Sequence, residues 1–175
     1  MIRRRSTLIG AVITGVFFSV LTIGCASGGI RNAVYRDEAR NFRVEIPQNG
    51  WRVIQSPGAD LALEDTRSAA RMAVAVNCPE RETGPLASLV RHLYFGLRQV
   101  ERLRQEQIVL DGAVGLDTVV RGSWEGTPVQ VRSVVMRRTG CLYDLLYVAP
   151  PDVFAARSAD FDRFLQSWQF LPEQP

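Results

Sequence analysis

Phe42-Arg43-Val44-Glu45-Ile46-Pro47-Gln48-Asn49-Gly50-Trp51 is the stretch whose reading decides the fold. Its first five residues alternate apolar and polar, the period of a half-buried strand. Pro47 cannot donate to a ladder, and Asn49-Gly50 is a strong short turn signal. Trp51–Gln55 reads as a returning strand, so the stretch predicts a β-hairpin with an aromatic residue at its far corner. Ser56-Pro57-Gly58 ends that strand.

Working outward, Leu61–Glu64 and Arg71–Cys78 read as two further strands joined through Thr66-Arg67-Ser68. In the second, Met72, Val74, Val76 and Cys78 share one face, while Ala73 and Ala75 make the other face apolar as well. Thr83-Gly84-Pro85 opens a predicted helix, because Pro suits a first turn. Leu86, Leu89, Val90, Leu93, Leu97 and Val100 recur at steps of three and four, which extends that helix to about Arg104. Strands resume at Gln107–Leu110, Val114–Trp124, Val129–Arg138 and Cys141–Ala149. The last is apolar apart from Asp144 and suits a central position covered on both faces. Phe161, Phe164, Leu165 and Trp168 mark a short closing helix begun near Ser158. The pattern is α+β: an antiparallel sheet of about seven strands flanked by helices, one mid-chain and one terminal.

The chain has 175 residues, 21 basic and 18 acidic, with a single histidine and three cysteines. Every basic residue is Arg, which excludes lysine Schiff-base and lysine phosphate-loop chemistry. Arg3, Arg4 and Arg5 precede the uncharged run Leu8–Ile23, and Gly24-Cys25 follows. A basic start, an apolar core and a small residue make a secretory signal, and the arginines hold the front end in the cytoplasm. Without those three arginines the charges balance, so the basic sequence pI of about 9.0 is no nucleic-acid signature.

Leu21-Thr22-Ile23-Gly24-Cys25 resembles the lipobox of bacterial lipoproteins, departing from it at Thr22 and Ile23. The resemblance implies cleavage after Gly24 and acyl chains on Cys25, which anchor the protein to a membrane with more than one chain. Ala26, in place of an Asp, points to the outer membrane, facing the periplasm. The chain then divides into a signal peptide, residues 1–24, a lipid-anchored tether, residues 25–33, and one domain, residues 34–172. Cys78 and Cys141 are left in an oxidising compartment, as a disulfide worth about 4 kcal/mol or as two separately buried thiols.

Phe42–Trp51, Tyr143-Asp144-Leu145-Leu146-Tyr147 and Phe161–Phe170 together resemble the PsbP-like domain. That resemblance implies an α/β/α sandwich, a helix and last strand at the C-terminus, and work as a scaffold or adaptor with no catalytic residue transferred. The remaining candidates are few. His92 reads as a surface or boundary residue, and no clustered Cys/His/Asp spacing suggests a metal. Asp60, Glu64 and Asp65 read as solvated charges. Arg91, Arg98 and Arg102 would decorate one side of the mid-chain helix, a candidate contact for an anionic partner. Trp124 has the parity of Val120 and Leu116 and is expected to close the core. The expected function is a non-catalytic binding or assembly factor for an envelope protein complex, with no cofactor, no metal and no nucleic-acid partner. The alternative is a small-ligand or lipid carrier using a pocket between sheet and helix.

Overall fold

The computed structural model describes residues 28–78 and 84–172. The signal peptide, Cys25 and the Thr83 start of the mid-chain helix lie outside these residues.

Among the described residues, eleven strands form two antiparallel sheets. The smaller has the order β1 (Gly28–Arg31), β2 (Val34–Asp37), β3 (Phe42–Glu45), β11 (Gln169–Phe170). The larger is seven-stranded, with the order β4 (Trp51–Ile54), β5 (Leu61–Asp65), β6 (Arg71–Asn77), β10 (Cys141–Ala149), β9 (Thr127–Arg138), β8 (Ala113–Trp124), β7 (Arg98–Leu110). The expected α+β architecture is present, and β10 holds the centre between β6 and β9.

The hairpin expected at Asn49-Gly50 does not form. β3 pairs with β2 and β11, whereas β4 pairs with β5, so the turn hands the chain from one sheet to the other. Pro47 offers no donor to continue the ladder, and Gly50 takes the left-handed φ of +97° that redirects the chain. Residues 28–33, expected within the tether, instead form β1 and its turn into β2; Gly28 stands opposite Asp37 and Arg31 opposite Val34.

One face of the large sheet is closed. Helix α2 (Pro151–Gln166) lies on it and buries Phe154, Phe161, Phe164 and Leu165. It starts at Pro151, well before Ser158, because Pro150-Pro151 both ends β10 and supplies the preorganised first turn of the helix. Tyr147 stacks on Phe161, with centroids 5.6 Å apart, and donates its hydroxyl to the Phe154 carbonyl at 2.9 Å. Burial pushes that hydroxyl's pKa up to about 12. The small sheet closes the other half of the same face, where Phe42 stacks on Trp168 at 4.6 Å. Trp51 and Trp168 are both buried, as their positions predict.

Buried carboxylates on this closed side are met by arginines. Asp117 on β8 receives Arg132 of β9 and Arg104 of β7, and Arg132 reaches on to Asp162 of α2 at 2.6 Å. Burial alone would loosen the Arg132 proton, but its hydrogen bonds to Asp117 and Asp162 hold it more tightly than usual. Asp65, expected in solvent, is 4 % exposed. It accepts from the Ser68 hydroxyl at 2.6 Å and pairs with Arg157 at 3.1 Å. Asp60 is likewise structural, accepting from the Val76 N–H at 2.7 Å.

The predicted mid-chain helix is mostly absent. Its first part is a hook, α1 (Leu86–Leu89) running into a 3₁₀ turn, Val90–Tyr94. Leu86, Leu89, Val90 and Leu93 do share a stripe, which packs on Leu116, Val135 and Leu142. Beyond Gly96 the chain becomes β7, with irregular register between Arg98 and Glu101 and between Arg102 and Arg104. Pairing with the long strand β8 outweighs the weak helical preference of this segment.

Candidate functional site

The second face of the large sheet is only half covered, and there a cleft of about 610 Å³ lies between the sheet and the hook. Its floor follows from two rows of residues that stand in register across all seven strands. One row runs Ile54, Ala62, Ala73, Leu146, Ser133, Thr118, Gln105 from β4 to β7. The next runs Arg52, Glu64, Arg71, Val148, Val131, Val120, Arg102 in the same strand order. Directly opposed residues in adjacent antiparallel strands point to the same face. Both rows therefore face away from α2.

The hollow exists because Ala62 and Ala73 rise so little above the sheet, while Leu146, Val148 and Val131 carry its apolar floor onward to β9. Leu93, Leu97 and Trp124 wall it. Ser56, Arg71, Glu125 and Thr127 bring polar groups to the lining. An apolar cavity of this size with a few polar groups is the usual form of a small-molecule site.

The polar half of the first row holds the hook down. Tyr94 and Ser133 share a hydrogen bond of 2.6 Å between their hydroxyls. His92 Nε2 lies 3.1 Å from Asp144 Oδ2, with the histidine half exposed, the boundary place expected for it. Arg137 donates to the Gly84 carbonyl at 2.7 Å. The loop after the hook presses on the hairpin end of the sheet. A Cβ on Gly96 would come within 2.7 Å of the Trp124 ring, and Gly96 has a φ of +90°. Only glycine fits both conditions without displacing the wall.

Trp124 has the face assigned to it by parity, but it is 50 % exposed and walls the cleft instead of closing the core. Arg91, Arg98 and Arg102 do not share a helical side. Arg91 is on the 3₁₀ turn, while Arg98 stands opposite Ser123 and Arg102 opposite Val120. Ser123 and Val120 are three apart on one strand, so these arginines lie on opposite faces of the sheet. Cys78 and Cys141 are brought together as a disulfide, with Cα atoms 4.0 Å apart, one step past the Leu142–Asn77 pair of the β10–β6 ladder. Nothing in the sequence spacing marked Gly96 or Ala62 as parts of a site. The doubly apolar reading of β6, through Ala73, was the one usable sign.

A second hollow adjoins the cleft, lined by Gly28, Gly29, Ile54, Ser56 and Ala62 among others. Ile54, Ser56 and Ala62 belong to both, so β1 begins beside the cleft wall. Among the described residues, no helix is long and apolar enough to cross a membrane, and no group of three or more His, Cys, Asp or Glu is placed to hold a metal ion.

No family model matches the sequence, and no curated protein does either. Solved structures do match. The solution structure of cyanobacterial PsbP (CyanoP) from Synechocystis sp. PCC 6803 aligns over 85 % of this chain and 95 % of its own, at 21 % identity and a TM-score of 0.60. LpqN, involved in cell envelope biogenesis of Mycobacterium tuberculosis, aligns over 75 % and 83 %, at 14 % identity and a TM-score of 0.59. PA94 of Pseudomonas aeruginosa, a protein of unknown function described as a putative regulator, aligns over 81 % and 96 %, at 15 % identity and a TM-score of 0.51. Two sheets packed around α2 with a half-covered outer face are thus, by likeness of structure, a PsbP-like α+β fold.

Proposed function

We propose that this chain is a cell-envelope lipoprotein, anchored through Cys25 and facing the periplasm from the outer membrane, that acts by binding and not by catalysis. The lipobox-like Leu21–Cys25 and the domain's likeness to LpqN, itself tied to envelope biogenesis, support the address. The cleft carries the choice between the two expected activities. An apolar hollow between sheet and hook, with polar groups at its lining, favours a carrier of a small apolar ligand.

Native mass spectrometry of the protein gently released from membranes tests this. A retained small molecule supports the carrier. An empty domain with a stoichiometric protein partner returns the reading to an assembly factor. That second reading has its own support at the hook, where Phe95 is 90 % exposed beside the half-exposed Trp124 wall. Exposed aromatic side chains of this kind are favoured at interface hot spots. Intact mass tests the anchor: an unmodified Cys25 overturns it.

A further inference from the structure

We infer that the cleft is an acyl-chain site: one linear hydrocarbon chain lies across the sheet from β6 toward Trp124 at the end of β8, with a carboxylate or phosphate head against Arg71. This rests on the carrier reading and names its ligand class.

Three observations carry it. The floor residues run across the strands, with Ala62 and Ala73 low and the larger Leu146 and Val131 leading on toward Trp124. With strands spaced about 4.8 Å apart, the three gaps from β6, which carries Arg71, to β8, which carries Trp124, span about 14 Å, the length of an extended acyl chain of about 12 carbons. The second observation is charge. Arg52, Glu64 and Arg71 stand in register at the β4–β6 end and carry one net positive charge. Arg52 Nε already holds Glu64 Oε1 at 2.7 Å, while Arg71 reaches Glu64 Oε2 at only 3.9 Å. The Arg71 side chain is 68 % exposed, so its donors can turn to an anionic head. The third is the far end. Trp124 and Leu97 wall the cleft beyond β9 with apolar surface, which suits the end of a hydrocarbon chain and not a second charge.

The test uses the full chain in its own membranes, with two photoactivatable probes: a diazirine palmitate and a phosphatidic acid carrying the same diazirine chain. Peptide mapping should place the label on Leu97, Trp124 or the Leu146–Val148 segment. Ala73→Leu, which fills the hollow, should remove that label. Arg71→Glu should lower it about tenfold, the loss of about one charge-assisted hydrogen bond. Because Arg71 is exposed, that variant keeps the test intact if Ala73→Leu fails to fold. Labelling by palmitate alone identifies a free fatty acid, and labelling by the phospholipid identifies a bilayer lipid; both support the site. Label that maps elsewhere, or is indifferent to both variants, overturns it. A retained molecule without an alkyl chain in the native spectrum overturns the acyl site and leaves the carrier standing. An empty domain overturns both.

Discussion

The two faces of the seven-stranded sheet are built from the same strands and come to opposite ends. On one, Met72, Val74, Leu145 and Tyr147 meet a 16-residue helix and a second sheet and are sealed. On the other, Ala62, Ala73, Leu146 and Val148 meet a nine-residue hook, residues 86–94, that reaches only part of the way. The difference lies in side-chain size and in the length of the cover. Large rings on the first face interlock with α2, whereas small side chains on the second leave a hollow the hook does not fill. Packing is concentrated on one face, and the other keeps a hollow.

The sharpest way to break this comparison is to open the sealed face. Phe161→Ala removes a fully buried ring from between Tyr147 and Phe164 and should cost about 4 kcal/mol in denaturant unfolding. A cost under 1 kcal/mol would mean that α2 is not the principal cover. Replacing Cys78 and Cys141 together by Ser should lower stability by about 4 kcal/mol, a loss read equally by reducing the wild type. Asp117→Ala strips Arg132 of its main partner inside the sealed face and should cost about 3 kcal/mol in the same measurement.

Asp65 sharpens the comparison through pH. Burial would raise its pKa, but the Ser68 hydroxyl, the Arg67 N–H and the charges of Arg157 and Arg67 outweigh burial and lower it. The folded chain therefore holds this proton more weakly than the unfolded chain does. The stability it contributes is present above about pH 4 and is lost as pH falls through the depressed value. The gap in melting temperature between wild type and Asp65→Asn should be full at pH 7 and narrow below about pH 4.

The open face should yield the smallest effect. Trp124→Ala should change stability by about 0.5 kcal/mol or less, since half of its surface is already in water. The same variant should lose the red part of the tryptophan emission, because Trp51 and Trp168 are buried.

The strands were legible because burial on one or both faces writes a period that survives in sequence: Val114–Trp124, Val129–Arg138 and Cys141–Ala149 fall within a few residues of β8, β9 and β10. The exchange of partners at Pro47–Gly50 was not legible, since turn chemistry specifies a change of direction and not which ladder receives the next strand. Residues 97–104 misled for a related reason. Their apolar positions, Leu97, Val100 and Leu103, fit a helix step, and only the neighbouring strand β8 and the break at Gly96 decide against it. The cleft was half visible, in Ala73, and half not, because register across β4, β5, β6 and β10 aligns residues that are far apart in sequence.

The small sheet holds the first described strand and the last, with β11 completing its ladder against β3. Arg43 waits for Gln169, 126 residues downstream, before its hydrogen bonds exist. Contacts of such long sequence separation form slowly. A chain emerging from a ribosome cannot finish this ladder until Gln169 and Phe170 have cleared the exit, so the small sheet closes only after every strand of the large sheet has been made.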